Sequence, residues 1–593
     1  MKDYLLITVI IAFLCSCGGT RSITLDKRPT EMSRVEIAEK IAEYVKKEMK
    51  KRKIVGLSVA VVDAQGVLLS EGFGYADKKE KIPADEKTLF PVASITKTVT
   101  AMAVMRLTEK GLIDLDKPIG DYIDELSLPD GAENIITTRM LLTHHSGLHG
   151  DILYNWYLPK ISPNPLEYEK IVDLINETGT VFAPGKMHSY CNAGYALLGV
   201  LIHKVSGKNY VNFIHSEIFD PIGINESIVY AGEKTDAVIA KGYEGKESTE
   251  MPMKIGTPAG GIAFSAEDAA SYLSAIIDAY NGKSQILKER TMKKMMIPQN
   301  KNIAMDEGFS IGFSWFLQNP LGVDTKVASH RGELPPYHAM TMILPELKVG
   351  VLLSQNTNRA ATAPEEMSSE IVKALYGFYT GGDIEKRKTA PKTALSRNDV
   401  KKFEGIYSSM YFGPTKIMVQ KSKLLLKPGT MPMPLHLIPR EDGTFSMKVK
   451  LLGLIPLPIK ELETITVEFR EYGGEKYLYF NIGNMMLNPN KKIEPFDNPA
   501  EYKEYEGKYK VKNMENSGRV VKNVELKLDK DGLFYVLKYT FMGRHAFNIA
   551  VRPVDKNNAR LAGEGYFVGE KINWEKENDK TLMYWSGLIL EKK

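Results

Sequence analysis

Phe90-Pro91-Val92-Ala93-Ser94-Ile95-Thr96-Lys97 is the stretch on which the reading of the chain turns. It reads as a short strand or turn running into a long helix, from Thr96 through Val104 and Leu107 to about Lys110. Ser94 and Lys97 stand three residues apart, so on a helix they project from one face, one turn over the other. A serine hydroxyl is a weak nucleophile until a neighbour takes its proton, and an amine can do so only when neutral. Free lysine titrates near ~10.4, so a lysine base near neutral pH needs a fall of roughly three units, about 4 kcal/mol. A partly buried helix N-terminus supplies two causes, desolvation and the positive end of the helix dipole. The plainer alternative is a serine N-cap followed by a solvated lysine. No other serine of the chain has a lysine three positions on, so there is one candidate for such a pair.

Around this stretch lie 593 residues, too many for one ordinary core, so two to four domains are expected. A quarter of the residues are charged, as in globular proteins, and the net charge is only +5. No basic block points to nucleic acid. The first residues stand apart: Met1-Lys2 opens a short positive region, and Tyr4 to Leu14 is apolar but short for a bilayer span. The run ends in Leu14-Cys15-Ser16-Cys17-Gly18, which resembles a bacterial lipobox with Cys17 as the lipidated residue. The alternative is an uncleaved membrane anchor; under either, the chain is exported and tethered. The expectation is therefore a lipoprotein signal peptide over 1–17, a tether over 18–32, and a lipoprotein facing the periplasm or exterior. Cys15, Cys17 and Cys191 are the three cysteines, so with Cys17 acylated no intramolecular disulfide is expected.

Met32 to Lys51 reads as an amphipathic helix on Val35, Ile37, Ile41 and Val45. Gly56 to Val62 and Val67 to Tyr75 read as strands around the turn Asp63-Ala64-Gln65-Gly66. A helix, a hairpin and then the Ser94 helix suggest a sheet with helices packed on it. His144, His145 and His149 invite a metal reading, but no acid or cysteine stands at a familiar ligand spacing, and a structural turn is the expectation. Phe182-Ala183-Pro184-Gly185 makes a turn, and a helix follows from Ala193 through Val205. Tyr190 and Asn192 thus sit on the loop entering a helix, suited to presenting polar groups into a cleft, although Tyr190 also fits an ordinary half-buried aromatic. Ser265 reads as the N-cap of a helix from Ala269 to Tyr280. Gly312 to Phe316, Lys326 to Gly332, Met340 to Leu344 and Val349 to Ser354 read as strands of an antiparallel group. Gly308-Phe309-Ser310-Ile311-Gly312 matches a nucleophile elbow, which requires a helix directly after the serine; strand-like sequence follows instead.

The order Ser94-x-x-Lys97, Tyr190-x-Asn192, His330-x-Gly332 resembles the serine β-lactamase and D,D-peptidase superfamily, in its class C-like, peptidase S12 branch. Leu142 to Leu148, Phe182 to Gly199, Pro221-Ile222-Gly223-Ile224 and Pro258 to Asp268 are similar to that family as well, so the resemblance covers about 33–375. It implies an α/β fold: an antiparallel sheet flanked by helices, with a helical subdomain between its first and last strands. It further implies Ser94 as acylated nucleophile and Lys97 with Tyr190 as the proton-transfer pair, the tyrosine at or near phenolate. Which of the two takes the first proton stays open. Asn192 would bind the substrate amide, and the backbone N–H groups of Ser94 and Glu333 would form an oxyanion hole. Gly332 would let substrate approach the strand. Lys-Thr/Ser-Gly is expected on that strand of a class C β-lactamase, whereas His330-Arg331-Gly332 resembles the peptidase, esterase and aminopeptidase members. The activity implied is a serine hydrolase acting through an acyl-enzyme on a small peptide, amide or ester, with cell-wall-derived substrates among those expected and with no cofactor and no metal. The alternatives are a penicillin-binding or sensor protein that acylates without efficient turnover, or a class C-like β-lactamase.

Residues 376–399 are polar and read as a linker. Beyond them strands dominate and an internal repeat emerges: Phe403-Glu404-Gly405-Ile406-Tyr407 recurs as Tyr505-Glu506-Gly507-Lys508-Tyr509, and Lys476-x-Leu478 as Lys580-x-Leu582. Two β modules are expected, 400–496 and 498–593, similar to lipocalin-like or barrel modules; a single sandwich with chance echoes is the alternative.

Overall fold

In a computed structural model of the chain the structure describes residues 23, 25, 32–153, 164–230, 232–245, 247–249, 256–382, 384, 390–408, 413–420, 423–429, 433–451, 455–456, 462, 465–482, 485–486, 489–496, 499–513, 521–541, 545–566 and 568–593. The signal-peptide and lipobox readings, Cys17 included, lie outside the described residues. Among the described residues, no helix is long and apolar enough to cross a membrane.

Helix α1 (Arg34–Arg52) opens on a capping box between Ser33 and Glu36. Ile37, Ile41 and Val45 are buried along one face; Val35 points to solvent, two residues out of step with that stripe. Strands β1 (Gly56–Asp63), β2 (Gly66–Asp77) and β3 (Ile82–Pro83) begin a six-stranded sheet. It is completed only after the residues between them, by β6 (Ala328–Leu334), β7 (Tyr337–Leu344) and β8 (Val349–Gln355), in the order β3-β2-β1-β8-β7-β6. All pairings are antiparallel.

Both faces of the sheet are covered, and alternation along each strand sorts side chains between two cores. Leu57, Val59 and Val61 of β1, with Val349, Val351 and Leu353 of β8, pack toward α1 and the closing helix α5 (Ala363–Thr380). Ala60, Val62 and Leu352 face the other core, built from the inserted helices. These include α2 (Thr96–Glu109), α3 (Asn192–Ser206) and α4 (Ala266–Tyr280), the last capped by Ser265 as its sequence predicts. This is the expected α/β arrangement, with a helical insertion between the first and last strands.

Two expectations need correction. Gly312 to Phe316 is not a strand: Gly312 N–H bonds to the Trp315 carbonyl at 2.8 Å, and Ser314 takes φ +69°, so the chain turns tightly there. The linker does not begin at Tyr376, because α5 continues to Thr380; Tyr376 is buried and its hydroxyl accepts the Asp324 N–H at 3.1 Å.

The C-terminal part is two closed eight-stranded barrels rather than one sandwich. The first comprises β9 (Gly405–Tyr407), β10 (Thr415–Gln420), β11 (Lys423–Lys427), β12 (Leu435–Pro439), β13 (Phe445–Leu451), β14 (Ile465–Tyr472), β15 (Glu475–Ile482) and β16 (Asn490–Ile493), each paired to the next and β16 to β9. The second comprises β17 (Gly507–Val511), β18 (Val521–Leu528), β19 (Tyr535–Phe541), β20 (His545–Pro553), β21 (Asn558–Leu561), β22 (Lys571–Glu577), β23 (Lys580–Trp585) and β24 (Leu588–Lys592), closed by β24 on β17.

Candidate active site

The site is built where α2 begins. Strand β4 (Phe90–Pro91) pairs with β5 (Ala263–Phe264), and the chain then makes one 3₁₀ turn, Ala93–Ile95, before α2. Ser94 lies in that turn and Lys97 in the first turn of α2, so the three-residue spacing does the work expected of it: Lys97 Nζ is 3.0 Å from Ser94 Oγ. Ser94 is half-buried and Lys97 fully buried. Ala93, immediately before the serine, has φ +48°, a conformation a non-glycine residue adopts only when its surroundings impose it. Here they do: Val92 N–H bonds to Ile262 O at 3.0 Å and Ser354 Oγ to Pro91 O at 2.8 Å.

Among the described residues, no acid forms an ion pair with the lysine. Its ammonium donates to Ser94 and to the Ala259 carbonyl at 2.6 Å, and it lies 4.9 Å from the centre of the Tyr190 ring. Burial therefore dominates its titration and brings it down to about 7, with Asp151 partly opposing the fall. That is the direction a working amine base needs, and its main cause is desolvation.

Tyr190 stands just before the N-cap of α3, as expected, and its hydroxyl pairs with the Ser94 side chain. Its ring packs 4.4 Å from that of His144. Burial pushes the phenol up from its ordinary value, the direction opposite to the tyrosinate the resemblance implies, with the Ser94 side chain partly opposing the rise. Asn192, at the first position of α3, donates from Nδ2 to Asp151 Oδ1 at 2.8 Å. Burial raises Asp151 as well, although Tyr566, Asn192 and Lys97 oppose that shift.

Strand β6 carries His330, Gly332 and Glu333 along the edge of the sheet beside Ser94. A Cβ on Gly332 would stand 2.1 Å from the Val92 carbonyl oxygen, so only glycine allows the strand to close on the nucleophile turn. His330 is buried; its Nδ1 meets the Arg331 carbonyl at 2.8 Å, and among the described residues its Nε2 has no hydrogen-bond partner. Burial, reinforced by Lys97, holds this imidazole neutral, down to about 3. The Glu333 side chain is exposed and lies 3.5 Å from Arg331.

The other histidines do not converge. His144 Nδ1 accepts the Cys191 N–H at 3.0 Å, His145 Nε2 meets Asp306 at 2.7 Å, and His149 Nδ1 lies 3.6 Å from Glu570. Among the described residues, no group of three His, Cys, Asp or Glu is arranged to hold a metal ion. Cys191 packs: it caps α3, accepting the Gly194 N–H at 3.2 Å, and burial pushes its thiol up to about 12.

The site thus holds a serine, a buried amine poised near neutrality, a tyrosine and an asparagine, in the order found in the sequence. A family model described as Beta-lactamase matches residues 41–375. The chain belongs to the β-lactamase family. Members of this family are typically serine hydrolases. Penicillin-binding protein 4* of Bacillus subtilis (strain 168) is 30% identical over 305 residues, 48% of this chain and 64% of that protein. Protein flp of Staphylococcus aureus (strain MRSA252) is 23% identical over 330 residues, 54% of this chain and 63% of that one. The chain therefore spans less than two thirds of the length of these curated relatives. Among solved structures, the octameric penicillin-binding protein homologue from Pyrococcus abyssi is 26% identical with a TM-score of 0.51, covering 76% of this chain and 99% of its own. SurE, at 20% identity and a TM-score of 0.58 over 77% of this chain and 99% of its own, shares the fold.

Three groups of this β-lactamase-family site lie outside the three ordered motifs. The Ala259 carbonyl is backbone, Asp151 is a lone acid in a loop, and Tyr566 comes from the second barrel, hundreds of residues away. The recognisable phrase Pro258-Ala259-Gly260-Gly261 was the one pointer to the first.

Proposed function

We propose that this protein is a serine hydrolase of the peptidase S12 type, forming an acyl-enzyme at Ser94 on a small peptide, amide or ester substrate. The observation that carries the reading is the 3.0 Å contact between Ser94 Oγ and a buried Lys97 held near neutrality without an acidic partner. Neutral Lys97 takes the Ser94 proton as Oγ attacks the substrate carbonyl. Tyr190, a phenol beside the serine, can then donate to the leaving group, and the protonated Lys97, 4.9 Å from the centre of its ring, returns to the phenolate the proton it took from Ser94. Backbone N–H groups of Ser94 and Glu333 are the proposed oxyanion donors, each worth ~3 kcal/mol in related chemistry. Asn192 orients the acyl group, and water attacking the ester regenerates Ser94.

His330 narrows the substrate. A lysine on this strand would supply a fixed positive charge to a substrate carboxylate, whereas a buried imidazole held at about 3 supplies only a hydrogen-bonding nitrogen. Amides and esters without a carboxylate at that position are favoured over β-lactams and D-Ala-D-Ala peptides. Export and tethering through a lipid on Cys17, facing the periplasm or exterior, complete the proposal, with cell-wall-derived peptides as accessible substrates.

Intact-protein mass spectrometry with a fluorophosphonate tests the chemistry: one adduct is expected in the wild type and none in Ser94→Ala. An undiminished adduct in Ser94→Ala sinks the assignment. A screen of small esters, D-amino-acid amides, D-Ala-D-Ala peptides and nitrocefin identifies the class. A second reading, a penicillin-binding or sensor protein that acylates without turnover, is favoured by the burial of Tyr190, which pushes its phenol up and disfavours a tyrosinate base for deacylation. Multiple turnovers on any ester or amide, lost in Ser94→Ala, exclude it.

A further inference from the structure

The loop between β21 and β22 of the second barrel, over its described residues 562–566 and 568–570, reaches back into the β-lactamase domain. Its Glu564 accepts from Lys186 of that domain and, in the first barrel, from Lys491 at 2.9 Å and the Tyr477 hydroxyl at 3.1 Å. Two residues on, the Tyr566 hydroxyl donates to Asp151 Oδ2. The Tyr566 ring stands edge-on to that of Tyr190, 6.2 Å between centres. A Cβ on Gly150 would lie 2.1 Å from Tyr566 Cδ2, so glycine at 150 is what admits the ring. The second oxygen of Asp151 is the one that accepts from Asn192.

One buried carboxyl group therefore joins a barrel tyrosine to the asparagine beside the nucleophile. The torsion of an asparagine amide is soft, and a hydrogen bond restrains it only if the acceptor is itself held. Asn192 donates to one oxygen of Asp151, and Tyr566 donates to the other. We propose that Tyr566 is a positioning residue of the Ser94 site: acting through Asp151, it fixes the Asn192 amide, so the second barrel is part of the catalytic unit. This rests on the acyl-transfer reading above. Asn192 donates to Asp151 through one amide N–H; its second N–H and carbonyl oxygen are the complement of an amide next to the scissile carbonyl. Substrates that carry an acylamino group there should need Tyr566, and acyl groups without one should not.

The full-length protein and its Tyr566→Phe, Asn192→Ala and Gly150→Ala variants are compared on p-nitrophenyl acetate and on p-nitrophenyl esters of N-acetyl-D- and N-acetyl-L-alanine. Tyr566→Phe is expected to lower kcat/KM on the better N-acetylalanyl ester about tenfold, the size of one hydrogen bond to a charged group. Acetate hydrolysis and fluorophosphonate labelling of Ser94 should stay within about twofold. Asn192→Ala should lower the N-acetylalanyl ester rate at least as far, and Tyr566→Phe should add little in that background. Gly150→Ala should lower the thermal midpoint of the wild type and add little in a Tyr566→Ala background, a readout independent of any substrate. An unchanged N-acetylalanyl ester rate in Tyr566→Phe, an equal fall on both ester types, or an additive Gly150→Ala effect would each overturn the inference. A wild type that fluorophosphonate fails to label would instead overturn the acyl-transfer reading, and this inference with it.

Discussion

The two barrels are the same fold written twice, and they meet the β-lactamase domain in different ways. Their opening repeats perform the same tasks. Tyr407 donates to the Phe403 carbonyl at 3.1 Å, and Tyr509 to the Tyr505 carbonyl at 2.5 Å. Glu404 and Glu506 each accept a backbone N–H from the following strand, from Val419 at 3.4 Å and Leu528 at 2.8 Å. Gly405 and Gly507 take φ +152° and +147°, each against a lysine of the strand that closes its barrel, Lys492 and Lys592. The docking differs. The first barrel makes its hydrogen bonds to backbone, Tyr479 to the Met305 carbonyl at 3.2 Å and Arg470 to that of Glu307 at 2.6 Å, and packs Tyr477 and Tyr479 on the apolar side chains of Phe182, Met187 and Met305. The second reaches the side chain of Asp151, which holds Asn192 of the site, and that of His149 nearby. A duplicated module can thus keep the interactions that close it while only one copy acquires contact with the chemistry.

Glu570→Ala should have the largest effect on this asymmetry. Glu570 is buried, accepts the Trp585 indole N–H at 2.7 Å and faces His149, so its removal orphans a buried donor at the docking face. A loss of about 3 kcal/mol is expected, read as a lower denaturant midpoint together with slower ester hydrolysis. A stable variant with wild-type kinetics would mean that the second barrel is appended rather than integrated.

Gly405→Ala and Gly507→Ala form a matched pair. Each forces a positive φ on alanine, at about 1–2 kcal/mol, so the two unfolding midpoints should fall alike. Hydrolysis should slow only in Gly507→Ala. Equal kinetic effects from the pair would break the distinction between the barrels.

The pH profile sharpens the same contrast. Burial lowers Lys97 to about 7, so the neutral, base-competent fraction grows as pH rises, and Ser94 acylation should increase through a midpoint near 7. Asp151, the residue tied to the second barrel, opposes that fall. Asp151→Asn removes a charge that holds Lys97 up, so the midpoint of fluorophosphonate labelling should move to lower pH. A shift to higher pH would contradict the assigned electrostatics.

Much of this arrangement was readable in the residues. Ser94, Lys97, Tyr190, Asn192, His330 and Gly332 are ordered motif positions whose spacing fixes local geometry, and the repeat around Gly405 and Gly507 announced two modules. What stayed hidden has physical reasons. Gly312 to Phe316 is aromatic enough to read as a strand, yet hydrogen bonds to distant backbone, such as Phe313 N–H to the Met295 carbonyl at 2.9 Å, hold it as a turn. The protonation of Tyr190 depends on how deeply its hydroxyl is enclosed, which no motif encodes. Asp151 and Tyr566 acquire meaning only when a barrel loop meets a glycine in another domain, and neither position carries a local pattern.

Arg470→Ala should have the smallest effect and gives the contrast its control. Arg470 reaches the Glu307 carbonyl, stacks 4.8 Å over Tyr479 and pairs with Glu468 at 2.7 Å within its own barrel. Its removal should cost about 1 kcal/mol of stability, because the backbone oxygen it leaves can be reached by water. The step from Glu307 to the chemistry runs through Asp306, which is held independently by His145 and Asn300, each at 2.7 Å. Loosening the first barrel should therefore leave the orientation of Tyr190 and Asn192 intact, and ester hydrolysis within about twofold of wild type. A tenfold loss would show that the first barrel, too, is wired into the site through Asp306, and that the two docking modes differ in route rather than in consequence.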